Sequence, residues 1–233
     1  MGLKESGLRG SLRNVSVGID AIPDSVVLNI KASDYDSTNN KYVANIGPDV
    51  PDVGGNPTKT TDTVAGLSDV AVVDYDGSDD YSQTTNISST DDVIAIVWTG
   101  KTKTANDNGF PVDGGSDLEF AMNDDNSDDG WRLFRGGSNQ ATDNEGSVTT
   151  DYVTYSLIGK NEDEIGLKVN NNLIAGFATG ESASELSGVT IGARADGNNF
   201  DAMRMVEMSV ITEGSEQDAD DEAARQGSEY GTF

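Results

Sequence analysis

The chain has 233 residues, with 41 Asp and Glu against 15 Lys and Arg, a formal charge of −26, and neither His nor Cys. So negative a chain excludes nucleic acid as a partner, since it cannot replace the counterions along a run of phosphates; without Cys there are no disulfides, thiolate metal sites or thiol nucleophiles, and without His the commonest general base is missing. No apolar run approaches the roughly 18 residues of a spanning helix, so membrane insertion is not expected.

Residues 1–19 carry Lys4, Arg9 and Arg13 against the single acid Glu5. Gly2, Gly7 and Gly10 weaken a helix there, although Leu8 and Leu12 have the spacing of one helical face. Two readings fit: a frayed terminus, or a docking arm that presents Leu3, Leu8 and Leu12 with Lys4, Arg9 and Arg13 to an acidic neighbour. The N-terminus lacks the apolar core of a signal peptide, so any export is expected to use another route.

From Val26 onward the period is that of strands, with Val26, Leu28 and Ile30 alternating with Val27, Asn29 and Lys31. Residues 50–64, with Pro51, Gly54, Gly55 and Pro57, read as a surface loop. Residues 70–73 lead through Asp76-Gly77 toward the apolar run 93–98, and this spacing predicts a hairpin. Its turn would use the positive φ open to Gly and the local hydrogen bonding of Asp. Further strands are expected at 118–122, 131–134, 152–158, 165–169, 173–177, 189–193 and 203–211, with an acidic loop at 123–130. Short strands between Gly-, Asn- and Asp-rich turns predict an all-β antiparallel sandwich.

Within 203–211 the apolar phase changes: Met203 and Met205 share one face, while Val206, Met208 and Val210 share the other. That predicts a β-bulge near Met205 or Val206, or a strand buried on both faces. A short helix over about 216–226 is expected last, capped by Ser215, with acids in its first turns, Arg225 late and Gly227 after it. The expected division is an arm at 1–25, one sandwich domain at 26–212 and an acidic helix and tail at 213–233.

Five stretches taken in order resemble the laminin-G-like, concanavalin A-like jelly rolls. These are residues 28–34, the Asp-rich turn 74–81, residues 166–171 with Asn171 where the family prefers Gly, the strand Ile191-Gly192-Ala193-Arg194, and residues 200–210 with the helix that follows. The resemblance implies two antiparallel sheets packed face to face, with ligands met at loop edges or on the concave sheet. Members bind glycans, proteins or only their neighbours in an assembly, so the fold does not choose the function. Residues 1–19 lie outside it and are similar to N-terminal segments of virion proteins from tailed viruses of haloarchaea.

A disordered acidic chain would hold few bulky apolar residues and no periodic runs. Here 35% of residues are hydrophobic and gather in blocks. At about 1 M salt the Debye length falls to about 3 Å, so the surface acids of a halophilic protein barely repel one another.

Among possible chemistries, a glycosidase needs two carboxylates facing each other across the scissile bond, and no such alternation of acids on one strand is present. A serine nucleophile lacks its usual His partner. Hard oxygens at Asp76 and Asp79 make a Ca2+ site there worth weighing against solvated acid, although the loop fails as an EF-hand because its twelfth position is Thr85. Sugar binding calls for an aromatic platform with polar partners. Trp98 ends an apolar run and reads as core; Trp131, beside Arg132 and Arg135, reads as platform or core, with Tyr152 as a further candidate.

The expected function is a non-enzymatic sandwich on the surface of a haloarchaeal virus particle, as a head decoration or turret subunit, or as a tail or fibre module. It would be assembled in the host cytoplasm, attached to other virion proteins through its arm, homo-oligomeric, and would face a host surface glycan or glycoprotein. No cofactor is required. The alternative is a secreted or cellular carbohydrate-binding module of a halophile.

Overall fold

Apolar runs set between turn residues become strands here because β-branched and aromatic side chains fit a pleated surface. The turn residues take the positive φ that reversal needs: 81° at Gly77, 50° at Asn170 and 58° at Asn171. The computed structural model describes residues 21–89, 93–104, 109–115, 120–124, 130–135, 148–160, 164–178 and 186–233. In chain order they form β1 (Val26–Lys31), β2 (Tyr35–Asp36), β3 (Lys41–Tyr42), β4 (Val50–Gly54), β5 (Thr58–Val64), β6 (Leu67–Asp74), β7 (Tyr81–Thr84), β8 (Val93–Thr102), β9 (Val112–Asp113), β10 (Phe120–Asp124), β11 (Trp131–Arg135), β12 (Val153–Lys160), β13 (Glu164–Val169), β14 (Asn172–Ala178), β15 (Val189–Ile191), β16 (Met203–Ile211) and the helix α1 (Glu216–Tyr230).

The strands build two sheets. The first runs β14-β13-β12-β8-β16-β6-β5, with β1 also paired to β16, and the second runs β11-β10-β9-β15-β7-β4-β3-β2. Every pairing among them is antiparallel. The sheets face each other across one core that includes Leu28, Ile30, Val73, Ile96, Trp98, Met122, Trp131, Tyr155 and Met208. The expected all-β sandwich with a C-terminal helix is therefore what the chain forms.

α1 covers the outer face of the first sheet. Ala219 and Ala223 pack on Val26, Ala95, Val97, Ile158 and Ile211, and Tyr230 packs on Val64, Val72, Tyr152 and Val206. This second layer explains why β8 and β16 are apolar without alternation: both of their faces are covered. The bulge falls where the phase change placed it, between Met205 and Glu207 opposite β8. It leaves Met205 and Met208 in the inter-sheet core and turns Val206 toward the helix side.

Three expectations are corrected. The 70–98 segment is not a hairpin: β16 lies between β6 and β8, and β7 crosses into the second sheet, so the Asp-Gly turn is a link between layers. Residues 50–64 are mainly strand, because β4 and β5 satisfy their backbone along the sheets while their side chains stay largely exposed. The helix continues to Tyr230 and ends at Gly231, with φ of 68°. Gly227 is a close-approach residue inside it, where an added Cβ would lie 2.1 Å from the Phe233 ring. Ser215 caps the helix as expected, in a capping box with Asp218.

Candidate functional site

The ligand residues expected from sequence do not form one site. Trp131 has no exposed surface; its indole meets the Tyr155 ring edge-on at 5.4 Å, and Tyr155 stacks on Trp98 at 4.4 Å. This corrects the reading of Trp131 as a platform: β11 turns that residue into the sandwich. Arg132, next along the strand, is half-buried, and the side chain of Arg135 lies outside the described residues. Tyr152 sits in the layer beneath α1, on the other face of the first sheet from Trp131. Its hydroxyl donates to Asp62 Oδ2 at 2.9 Å, and Lys101 Nζ lies 4.4 Å from its ring centroid. It is a buried member of an ion cluster. Leu3, Lys4, Leu8, Arg9, Leu12 and Arg13 lie outside the described residues.

The structure instead gathers polar groups where the 74–81 link passes the start of β5. Asp76 Oδ1 accepts the backbone N–H of Ser78 at 2.8 Å, closing the turn, and that bonding with Ser78 holds its carboxyl below the usual range. Asp80 accepts from Asn56 N at 2.6 Å and from Asp76 N at 3.0 Å, tying this turn to the β4–β5 connection. Burial raises the Asp80 carboxyl, and those two N–H groups oppose the rise. Gly54 and Gly55 allow the approach, since a Cβ on Gly54 would lie 2.3 Å from the Tyr81 ring and one on Gly55 would lie 2.2 Å from Asp80 Oδ1. Tyr81, half-buried, pairs with Phe200 at 6.0 Å.

The result is a cleft of about 530 Å³ lined by Asn56, Thr58, Thr60, Asp74, Asp76, Asp79, Asp80 and Arg204. Arg204 is held in place by Nε to Asp74 at 2.8 Å and by a terminal nitrogen to Asp62 at 2.6 Å. Lys103 reaches Asp74 at 2.5 Å, and Lys101 reaches Asp62 at 3.1 Å. Burial opposes the charge on Asp62, but hydrogen bonds from Tyr152 and Arg204 keep its carboxyl well below the ordinary range. The cleft therefore offers fixed carboxylates, an amide and two threonine hydroxyls, a set that matches the hydroxyls of a neutral sugar.

Asp76 and Asp79, expected as cation ligands, are exposed, and with Asp80 they place one oxygen each within 4.8 Å of one another. Ca2+ takes about six to eight oxygens, and one converging oxygen from each of these carboxylates supplies three. Both Asp80 oxygens already accept backbone N–H bonds. Sequence reasoning weighed Asp80 only with the other acids of its turn and missed Asn56 and Arg204, which lie on other parts of the chain; the Gly54-Gly55 pair beside Asn56 was the available signal.

No protein-family model matches the chain, and no curated protein sequence matches it. Solved structures do. Trypanosoma rangeli sialidase in complex with sialic acid aligns at TM-score 0.63 and 12% identity over 90% of this chain and 34% of that one. A botulinum neurotoxin serotype D binding domain aligns at TM-score 0.54 and 11% identity over 88% of this chain and 52% of that one. The receptor binding domain of a botulinum neurotoxin C/D mosaic serotype aligns at TM-score 0.54 and 12% identity, over 88% and 51%. The chain thus spans a third to a half of the length of these proteins. At this identity the likeness establishes the fold, a jelly-roll-like β-sandwich.

Proposed function

We propose that the chain is a non-catalytic glycan-binding sandwich displayed on a haloarchaeal virus particle, as a head decoration or turret subunit or as a tail or fibre module. The observation that carries the binding role is the cleft at Asn56, Asp76, Asp79 and Asp80, next to the Tyr81–Phe200 ring pair. The fold supports it, being shared with a sialidase solved with sialic acid and with toxin binding domains. An acidic lining repels anionic sugars, so the ligand is a neutral glycan or the neutral part of a host glycoprotein. A catalytic reading has less support: both Asp80 oxygens accept backbone N–H bonds, from Asn56 and Asp76, and one Asp76 oxygen accepts from Ser78 N, so these carboxylates are engaged in holding the loops.

Residues 1–25 attach the sandwich to other virion proteins or to sister subunits, and symmetric oligomerisation multiplies weak attachment to a surface. The sandwich faces outward. One observation favours the second reading, a carbohydrate-binding module of a halophile: the chain aligns with only 34% of a larger sialidase chain. Neighbouring capsid, portal and tail genes would support the virion role, whereas an adjoining hydrolase gene would favour the module.

A glycan array in molar salt tests the binding role, comparing wild type with Asp79→Asn, a change at an exposed side chain. Neutral glycans should be retained by wild type and weakened about tenfold or more by the variant, the effect of leaving a sugar hydroxyl without its charged acceptor. Equal binding by both proteins, or none by wild type, would remove the cleft from consideration.

A further inference from the structure

We infer that the groove between residues 21–25 and the start of α1 is the seat for residues 1–20 of a second copy of the chain. The inference rests on reading residues 1–19 as a docking arm, and it names the surface that receives the arm. The groove has a volume of about 1070 Å³; Ile22, Pro23 and Val27 line it with apolar surface, and Asp24, Asp218 and Asp221 with carboxylates. Ile22 also packs against the layer of Val26, Ile211, Ala219 and Ala223 beneath the helix, so the apolar floor is continuous with the fold.

The charges suit the arm. Among the described residues, no ion pair neutralises Asp24 or Asp221, whereas most of the described basic side chains are already committed to internal pairs. The N-terminal stretch still has Lys4, Arg9 and Arg13 against one acid, with Leu3, Leu8 and Leu12 interspersed. Basic and leucine residues together match a groove that is acidic at its rim and apolar at its floor. Two chains of charge −26 repel each other, and contact through this stretch and this groove is where opposite signs meet. A neighbour's arm fits better than the chain's own. The chain's own residues 21–25 already form one wall of the groove, which leaves the opposite wall, at the start of α1, to be met from outside. An arm seated in the next subunit is a head-to-tail contact, which closes as a ring when the rotation permits.

Sedimentation velocity on the full chain, in salt at which it is folded, tests the inference with two variants: deletion of residues 2–14, and Asp24→Lys with Asp221→Lys, both exposed positions. Circular dichroism confirms folding, and Asp24→Lys alone replaces the double variant should the latter unfold. Wild type should self-associate, and each variant should require at least about tenfold more protein to do so, since the deletion removes the three basic residues with their leucines and the charge reversal turns two of the groove's carboxylates into repelling cations. An equimolar mixture should associate again, because the deletion variant keeps the groove and the charge-reversed variant keeps the arm. A mixture that stays monomeric would overturn the inference, as would a monomeric wild type, the result expected if the arm lies in its own groove. Loss of association on deletion but not on charge reversal would also overturn it, while leaving the docking arm intact. Full association by the deletion variant would end the arm reading itself.

Discussion

Trp131 shows how a single residue changes meaning once its neighbours are known. Its ring lies between the sheets, edge-on to Tyr155, which stacks on Trp98. Replacing Trp131 with Ala should cost about 3–5 kcal/mol in urea denaturation, as removal of a large core ring does. A loss below about 1 kcal/mol, the range of surface changes, would contradict the burial. Asp113 is the second residue with consequences. It is fully buried, accepting from Ala195 N at 2.9 Å and Gly115 N at 3.1 Å, and burial pushes its carboxyl up to about 7. Because the folded value exceeds the unfolded one, this group favours the folded state at low pH. That advantage is lost as pH rises from about 4, where the unfolded chain ionises, through about 7. Carbon-detected NMR should find one aspartate carboxyl titrating near neutrality, absent in Asp113→Asn, and stability should be greater at pH 5 than at pH 8. A titration near pH 4 would show that the carboxylate is better solvated than its position implies.

At the scale of elements, α1 is held to its sheet by buried charge as much as by apolar contact. Arg225 bridges Glu207 of β16 and Glu222 of its own helix, both with no exposed surface, while Asn29 and Tyr230 also bond to Glu207. Arg225→Ala should therefore cost about 3–5 kcal/mol, because buried Glu222 loses its cation and buried Glu207 is left with Lys31 at 3.5 Å. Ser215→Ala, which removes only the cap, should cost about 1 kcal/mol. Chemical denaturation of both variants checks the ranking, and a larger loss for the cap would mean that the helix terminus, not the buried pair, holds α1 in place. The cap was readable from Ser215 and the acids after it, because capping is local chemistry. The helix end was misplaced because Gly227 is small for a tertiary reason, the ring of Phe233 folding back on it. The bulge in β16 was readable because a two-residue period can shift phase and still bury both groups only by inserting a residue or by covering both faces. The hairpin was misread for the opposite reason: the turn chemistry at Asp76-Gly77 is local, but β16, more than 100 residues away, takes the place beside β6.

The whole molecule carries −26 on a scaffold whose described basic groups are mostly paired internally. Unscreened acids dominate the surface, so stability should rise with salt. Thermal midpoints should climb steadily between about 0.1 M and 1 M NaCl, over which the Debye length shrinks from about 10 Å to about 3 Å. A midpoint independent of salt would refute the halophilic reading. By itself the sequence determined the strand period, the all-β class, the phase change in β16, the helix cap and the net charge, because each depends on side chains within a few residues of one another or on a simple sum. Only the tertiary structure decided which face of β11 meets the core, which strands lie side by side, and that Asn56, Asp76, Asp80 and Arg204 line one cleft. Those outcomes follow from burying both sheets and the helix at once, and that arrangement joins residues up to about 150 positions apart through contacts that no local pattern encodes.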